Sequence, residues 1–126
     1  MRIAISADGP SGLDAPTAAH FGRCPYYVLV DWDEGKVIGT QVVENPYFGN
    51  HTPGAIPEFI HGQGAQVMIA GGMGQRAVAF FQQFGIEPVT GASGTVQQTL
   101  NLYLDGSLTG TQPCVEGAGH SHGCHE

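Results

Sequence analysis

Turn-forming residues cut this chain into short lengths. Twenty glycines and eight prolines are scattered through 126 residues without forming a repeat, and they punctuate every apolar stretch. No run approaches the ~20 apolar residues of a membrane helix. What remains is a series of short segments, each assigned by its own periodicity and its own stop signal.

RIAISA, residues 2–7, alternates with β-branched residues and stops at Asp8-Gly9-Pro10, which predicts a strand and a turn. Residues 11–25 are small and polar, a long loop with room for one helical turn at Thr17-Ala18-Ala19. YYVLVDW, residues 26–32, predicts a buried strand; Asp33-Glu34-Gly35-Lys36 predicts a hairpin turn, and residues 37–44 its returning partner. Three strands therefore precede any long helix.

Beyond a loop over residues 45–52, Ile56, Phe59 and Ile60 fall at helical spacing, with Thr52 as N-cap and Pro53 at the first helical position. QVMIA, residues 66–70, predicts a short strand, Gly71-Gly72-Met73-Gly74 a turn, and residues 75–84 a helix stopped by Gly85. Residues 86–90 predict one more strand, and residues 93–104 a last helix capped by Ser93, with Val96, Leu100 and Leu104 on one face. The order β β β α β α β α predicts an α/β fold: a mixed sheet of about five strands, antiparallel at one side and parallel at the other, with helices packed on it. Residues 106–126 lack apolar periodicity and are expected to form a flexible tail, leaving a domain over residues 1–105.

Charge excludes several partners. Four basic against eleven acidic residues give a formal charge of −7, which repels nucleic-acid phosphates and anionic lipid. The N-terminus turns polar too early for a signal peptide, so a cytoplasmic protein is expected. With 41% hydrophobic and 12% charged residues there is material for a core. Three cysteines, one far from the other two in sequence, read as reduced thiols.

Three clusters can carry chemistry. His20-Phe21-Gly22-Arg23-Cys24 lies in the loop before the second strand; imidazole and thiolate are ligands for iron, zinc or copper, and Arg23 can neutralise an anion. One histidine and one thiol do not close a metal site, so a surface histidine and a partly buried cysteine are the plainer reading of these residues alone. Gly71-Gly72-Met73-Gly74-Gln75-Arg76-Ala77 joins a strand to a helix and matches G-x-G-x-x-A. Its amides could cradle an anion, or its glycines could simply admit close packing. No acid sits ~20 residues on, as a dinucleotide site would want, and no lysine makes a P-loop. The tail supplies Cys114, His120, His122, Cys124 and His125, whose spacing fits no zinc finger but suits a chelating strand for a divalent transition metal. His51 reads as a loop histidine, and His61 as a favourable cation at a helix C-terminus.

HFGRCPYYVLVD, with the opening RIAISADG and the later VMIAGGMGQRA, resembles the dinitrogenase iron-molybdenum cofactor biosynthesis family, which includes the NifX and NafY type carriers and the C-terminal domain of NifB. The likeness spans residues 1 to about 105. It implies a ribonuclease H-like sheet and the non-catalytic holding of iron-molybdenum cofactor, or an iron-sulfur precursor, between donor and acceptor proteins. It implies His20 as the leading ligand and Arg23 as part of the motif; Cys24 is a local addition to that site. For the cofactor to be shared, the His20 loop and the turn with Gly72 and Gly74 would have to meet at one edge of the sheet. The alternatives are a metal-trafficking or sensing module that uses the tail, and a nucleotide-binding domain that uses Gly72 and Gly74.

An enzyme is not expected. A two-metal nuclease needs converging carboxylates, and residues 67–70 carry none. There is no nucleophile elbow.

Overall fold

A computed structural model describes residues 1–47 and 54–110. It contains eight regular elements: β1 (Arg2–Ala7), β2 (Tyr26–Asp33), β3 (Lys36–Glu44), α1 (Ala55–Gly62), β4 (Val67–Ala70), α2 (Gln75–Gln83), β5 (Glu87–Thr90) and α3 (Val96–Leu104). Two short 3-10 turns, Gly12–Asp14 and Phe21–Arg23, interrupt the first long loop. The strands form one sheet in the order β3-β2-β1-β4-β5. β1 is antiparallel to β2 and parallel to β4, and β4 is parallel to β5. The expected α/β architecture with a mixed five-stranded sheet is what the chain adopts.

Alternation along the strands builds two cores. Ile3, Ile5 and Ala7 of β1 join Val28 and Val30 of β2, Val67 and Ile69 of β4 and Val89 of β5 on one face, where Val96 and Leu100 of α3 cover them. Ala4, Leu29, Met68 and Ala70 lie in the opposite cluster with Ile56 and Ile60 of α1 and Ala77 and Phe81 of α2. β1 and β4 are buried on both faces, which is why they read as nearly continuous apolar runs. Glu34 and Gly35 both have positive φ, 50° and 81°, the backbone a two-residue hairpin requires to match strand twist.

Arg2 fixes the start of β1. Its Nε and Nη2 donate to the two carboxylate oxygens of Asp31 on β2, at 2.8 and 3.1 Å, and its Nη1 donates to the Gln63 carbonyl beyond α1 at 2.8 Å. The guanidinium holds the Asp31 carboxyl below the usual carboxylate range.

Several local expectations are corrected. No helical turn forms at Thr17-Ala18-Ala19: Ala15 is held extended by the proline that follows it, and Thr17 bridges to Ala7 while Pro16 bridges to Thr95. Ser93 is not the cap of the last helix. Thr95 is, with its side chain accepting from Gln98 N at 3.1 Å while the Gln98 side chain accepts from Thr95 N at 2.9 Å; Thr95-x-x-Gln98 fits the capping box and Ser93-x-x-Val96 does not. α1 starts at Ala55 behind Gly54 in the left-handed region, so the Thr52 and Pro53 cap lies outside the described residues. Pro57 is tolerated in its first turn, where its missing N–H has no intrahelical partner to lose. Residues 106–110, expected to begin the tail, stay on the body: Ser107 N and Leu108 N donate to Leu102 O, Leu108 packs against the α3 core, and Thr90 N donates to Gly110 O. The tail ligands Cys114, His120, His122, Cys124 and His125 lie outside the described residues.

Replacing Thr95 with alanine should lower stability by about 1 kcal/mol, read as a lower urea midpoint at unchanged slope, whereas Ser93→Ala should lose less than half as much. Because Asp31 titrates below its unfolded value, its contribution is present above about pH 4 and is lost as pH falls through the folded value. Asp31→Asn should therefore cost less than about 1 kcal/mol near neutrality, since the pair is partly exposed, and the difference from the parent should close on acidification.

Candidate functional site at the carboxyl ends of β1 and β4

The three parallel strands end on the same edge of the sheet. From there β1 runs into the loop that turns back toward β2, whereas β4 leads on through α2 to β5. The two connections part at the β1–β4 seam, the position where open α/β sheets leave a crevice for ligands.

Across this seam the two loops are tied by backbone. Ala18 N donates to Ser6 O on β1, Gly71 N donates to Ala18 O at 3.2 Å, and Phe21 N donates to Gly72 O at 3.0 Å. His20 and Gly72 form a parallel bridge. A Cβ on Gly71 would stand 2.8 Å from the Ala19 carbonyl oxygen and 2.9 Å from its Cα, so no side chain fits there. At Gly72 the same oxygen would be 3.3 Å away. Gly71, and less strictly Gly72, thus serve close packing. The His20 loop and the glycine turn are neighbours, as a shared site requires.

Phe21 anchors the loop. Its ring is buried, edge-on to Phe81 of α2 at 5.0 Å between centroids and tilted against Tyr27 of β2 at 6.2 Å. On either side of this anchor His20 is half-buried and Arg23 exposed, and a Cβ on the intervening Gly22 would meet nothing within 4 Å. Gly74 is the N-cap residue of α2 with no side-chain cap, and exposed Arg76 sits in that helix's first turn. Of four basic residues in a chain of charge −7, Arg23 lies on the His20 loop and Arg76 in the first turn of α2, while Arg2 is engaged by Asp31. Exposed Asp8, directly after β1, shares this end of the sheet.

Cys24 faces the other way. It is fully buried, its Sγ donates to Phe21 O at 3.5 Å, and its own carbonyl accepts from Asn45 Nδ2 at 2.8 Å. Tyr27 donates its hydroxyl to the same Phe21 carbonyl at 2.9 Å. Burial pushes the Cys24 thiol up, outweighing the Tyr27 and Ser6 hydroxyls close by, and burial likewise raises Tyr27 well above the ordinary phenol. The Ser6 hydroxyl itself has no hydrogen-bond partner among the described residues. The thiol therefore packs beneath the loop as a neutral group, and of the two expected ligands only His20 reaches solvent. Among the described residues, no three His, Cys, Asp or Glu side chains converge on a metal-sized site. His61 stacks on Phe84 at 4.8 Å, a packing role; His51 lies outside the described residues. No helix among them is long and apolar enough to cross a membrane.

Burial of Cys24 has a direct check: in native protein at pH 8, iodoacetamide should leave the Cys24 peptide unmodified over times that label it fully in concentrated guanidinium. Equal labelling rates in the two conditions would contradict the buried placement.

Known proteins place the chain. The family model described as dinitrogenase iron-molybdenum cofactor matches residues 1–106. The crystal structure of PH0822 superposes with a TM-score of 0.78 at 36% identity, covering 86% of this chain and 95% of that one. The apo form of the orange protein from Desulfovibrio gigas gives a TM-score of 0.78 at 30% identity, covering 89% and 93%. The protein MJ0580 of Methanocaldococcus jannaschii is 26% identical over 110 residues, 86% of this chain and 89% of its own length. A chain matched from its first residue to its last helix in this way belongs to the dinitrogenase iron-molybdenum cofactor family.

Proposed function

We propose that this protein is a cytoplasmic, non-catalytic carrier that holds iron-molybdenum cofactor, or an iron-sulfur precursor of it, at the β1–β4 seam and passes it from a donor to an acceptor protein. The observation that carries this reading is the backbone pairing of His20 and Phe21 with Gly72, which brings an imidazole, two exposed guanidinium groups and the uncapped start of α2 onto one edge. His20 is the metal ligand. Arg23, with Arg76, compensates the anionic cluster, and the backbone at Gly72 and Gly74 approaches it without side chains. Cys24 is the second candidate ligand, accessible only if Phe21 leaves its pocket between Phe81 and Tyr27.

An open site with one ready ligand suits transfer. A preassembled cluster keeps its own bridging sulfides and needs from the carrier a corner ligand, hydrogen bonds and charge. A closed cage of four side chains would hold it too tightly to surrender. The ribonuclease H-like assignment belongs to the same reading, and a β-meander at one side of the sheet with parallel strands at the other supports it.

The test is anaerobic loading with isolated iron-molybdenum cofactor, followed by iron and molybdenum per chain from elemental analysis. His20→Ala should weaken retention at least about tenfold, ~1.4 kcal/mol, while a chain ending at Gly110 should retain the metals. Zinc or nickel held only by the full-length chain, with no iron or molybdenum on the truncated one, would assign binding to Cys114, His120, His122, Cys124 and His125 instead.

A further inference from the structure

The last described residue, Gly110, is tied to the edge of the sheet that carries the candidate site. In β5, Glu87 N donates to Gln66 O and Gly91 N to Gly71 O, both toward β4. The Thr90 N–H between them points outward by strand alternation and donates to Gly110 O at 3.0 Å. Leu108 steadies the approach to that bond: it packs against the α3 core, and a Cβ on Gly91 would stand 2.9 Å from its Cδ1. Gly110 is thus one strand spacing outside β5, and β5, β4 and the His20 loop follow in turn across the edge. Three spacings of about 4.8 Å place His20 roughly 14 Å away.

Residues 111–126 start from this anchor and carry Cys114, His120, His122, Cys124 and His125. At about 3.4 Å per residue the chain from Gly110 to His120 spans up to roughly 34 Å, more than twice the distance to His20. An isolated imidazole does not hold a divalent ion, and among the described residues no group of three His, Cys, Asp or Glu stands ready to join it. We infer that His20 and this segment close one site for a divalent ion of the zinc class, with His120, His122 and Cys124 as the other ligands. Three imidazoles and a thiolate are donors that zinc accepts in tetrahedral geometry. His120 and His122 are separated by one residue, so both imidazoles can meet one ion, and Gly123 lets the chain turn to bring in Cys124. The segment's charged side chains are Glu116 and Glu126, so it brings no positive charge toward exposed Arg23 and Arg76. The tether holds it near His20 at an effective concentration on the order of mM. The ion site does not rest on the carrier reading but bears on it, because a cluster ligated by His20 would have to displace the segment.

Zinc titration of the metal-free full chain against a chromophoric chelator, under reducing conditions, tests this. About one zinc per chain is expected, with amide signals of residues 20–23 shifting as it binds and no gain in sedimenting mass. His20→Ala and His122→Ala should each raise the dissociation constant at least about tenfold, with circular dichroism unchanged. An affinity indifferent to His20→Ala would make the segment a chelator on its own and overturn the inference, as would shifts confined to residues 111–126 or a dimer bridged by zinc. No iron or molybdenum enters this experiment, so failed cofactor loading beside an intact zinc site would count against the carrier reading alone.

Discussion

The hydrogen bond from Phe21 N to Gly72 O is the contact on which the candidate site depends. Together with the bond from Gly71 N to Ala18 O, it joins the loop from β1 to the turn after β4. With it, His20 is held beside the glycine turn, and Phe21 is committed to the pocket lined by Phe81 and Tyr27. The bond forms because Gly71 carries no side chain and the Ala18–Ala19 backbone can lie against it. A small-residue loop and a glycine turn, each unremarkable alone, fit only when they are both small. The histidine is thus positioned by backbone pairing and by a neighbouring aromatic anchor.

Electrostatics then separates this edge from the rest of the molecule. The chain is acidic overall, and its basic groups are few enough to locate one by one: Arg2 is paired with Asp31 at the opposite end of β1, Lys36 is at the hairpin, and Arg23 and Arg76 remain at the seam. Under the proposed function, these two guanidinium groups on an otherwise acidic protein would orient an anionic cargo on approach while leaving its release easy. Cys24, by contrast, is withdrawn beneath the loop and kept neutral by burial, so an oxidisable thiol is not presented beside the histidine.

Much of the fold was legible in the sequence because the two strand periodicities and the glycine stops are local signals. β1, the β2–β3 hairpin with Glu34-Gly35, and the apolar β4 all appear where alternation or turn chemistry points. The start of α3 also carries a local signal, because Gln98 completes a capping box with Thr95 and not with the expected cap Ser93. The course of Pro16 and Thr17 is tertiary: it depends on bridges to Thr95 and Ala7 that no local pattern announces, whereas Ala15 is extended by the local effect of the proline after it. At the candidate site, the HFGR motif marked the loop that carries His20 and Arg23, whereas the need for a glycine at position 71 left no mark. Whether a glycine is needed for its conformation or for its missing Cβ depends on what lies 3 Å away, and here that is the backbone of Ala19. The plainer reading of these residues makes Cys24 partly buried; its place under the Phe21 anchor makes that burial complete.

In the proposed function the His20 loop and the glycine turn act as one surface for an anionic metallocluster. Paramagnetic broadening of backbone amide signals can be recorded on the full chain as iron-molybdenum cofactor is added under anaerobic conditions. Residues 20–23 and 71–76 should broaden together and first, with the α3 face of the sheet unaffected. Broadening confined to residues 114–125, or spread without preference over both faces, would contradict it.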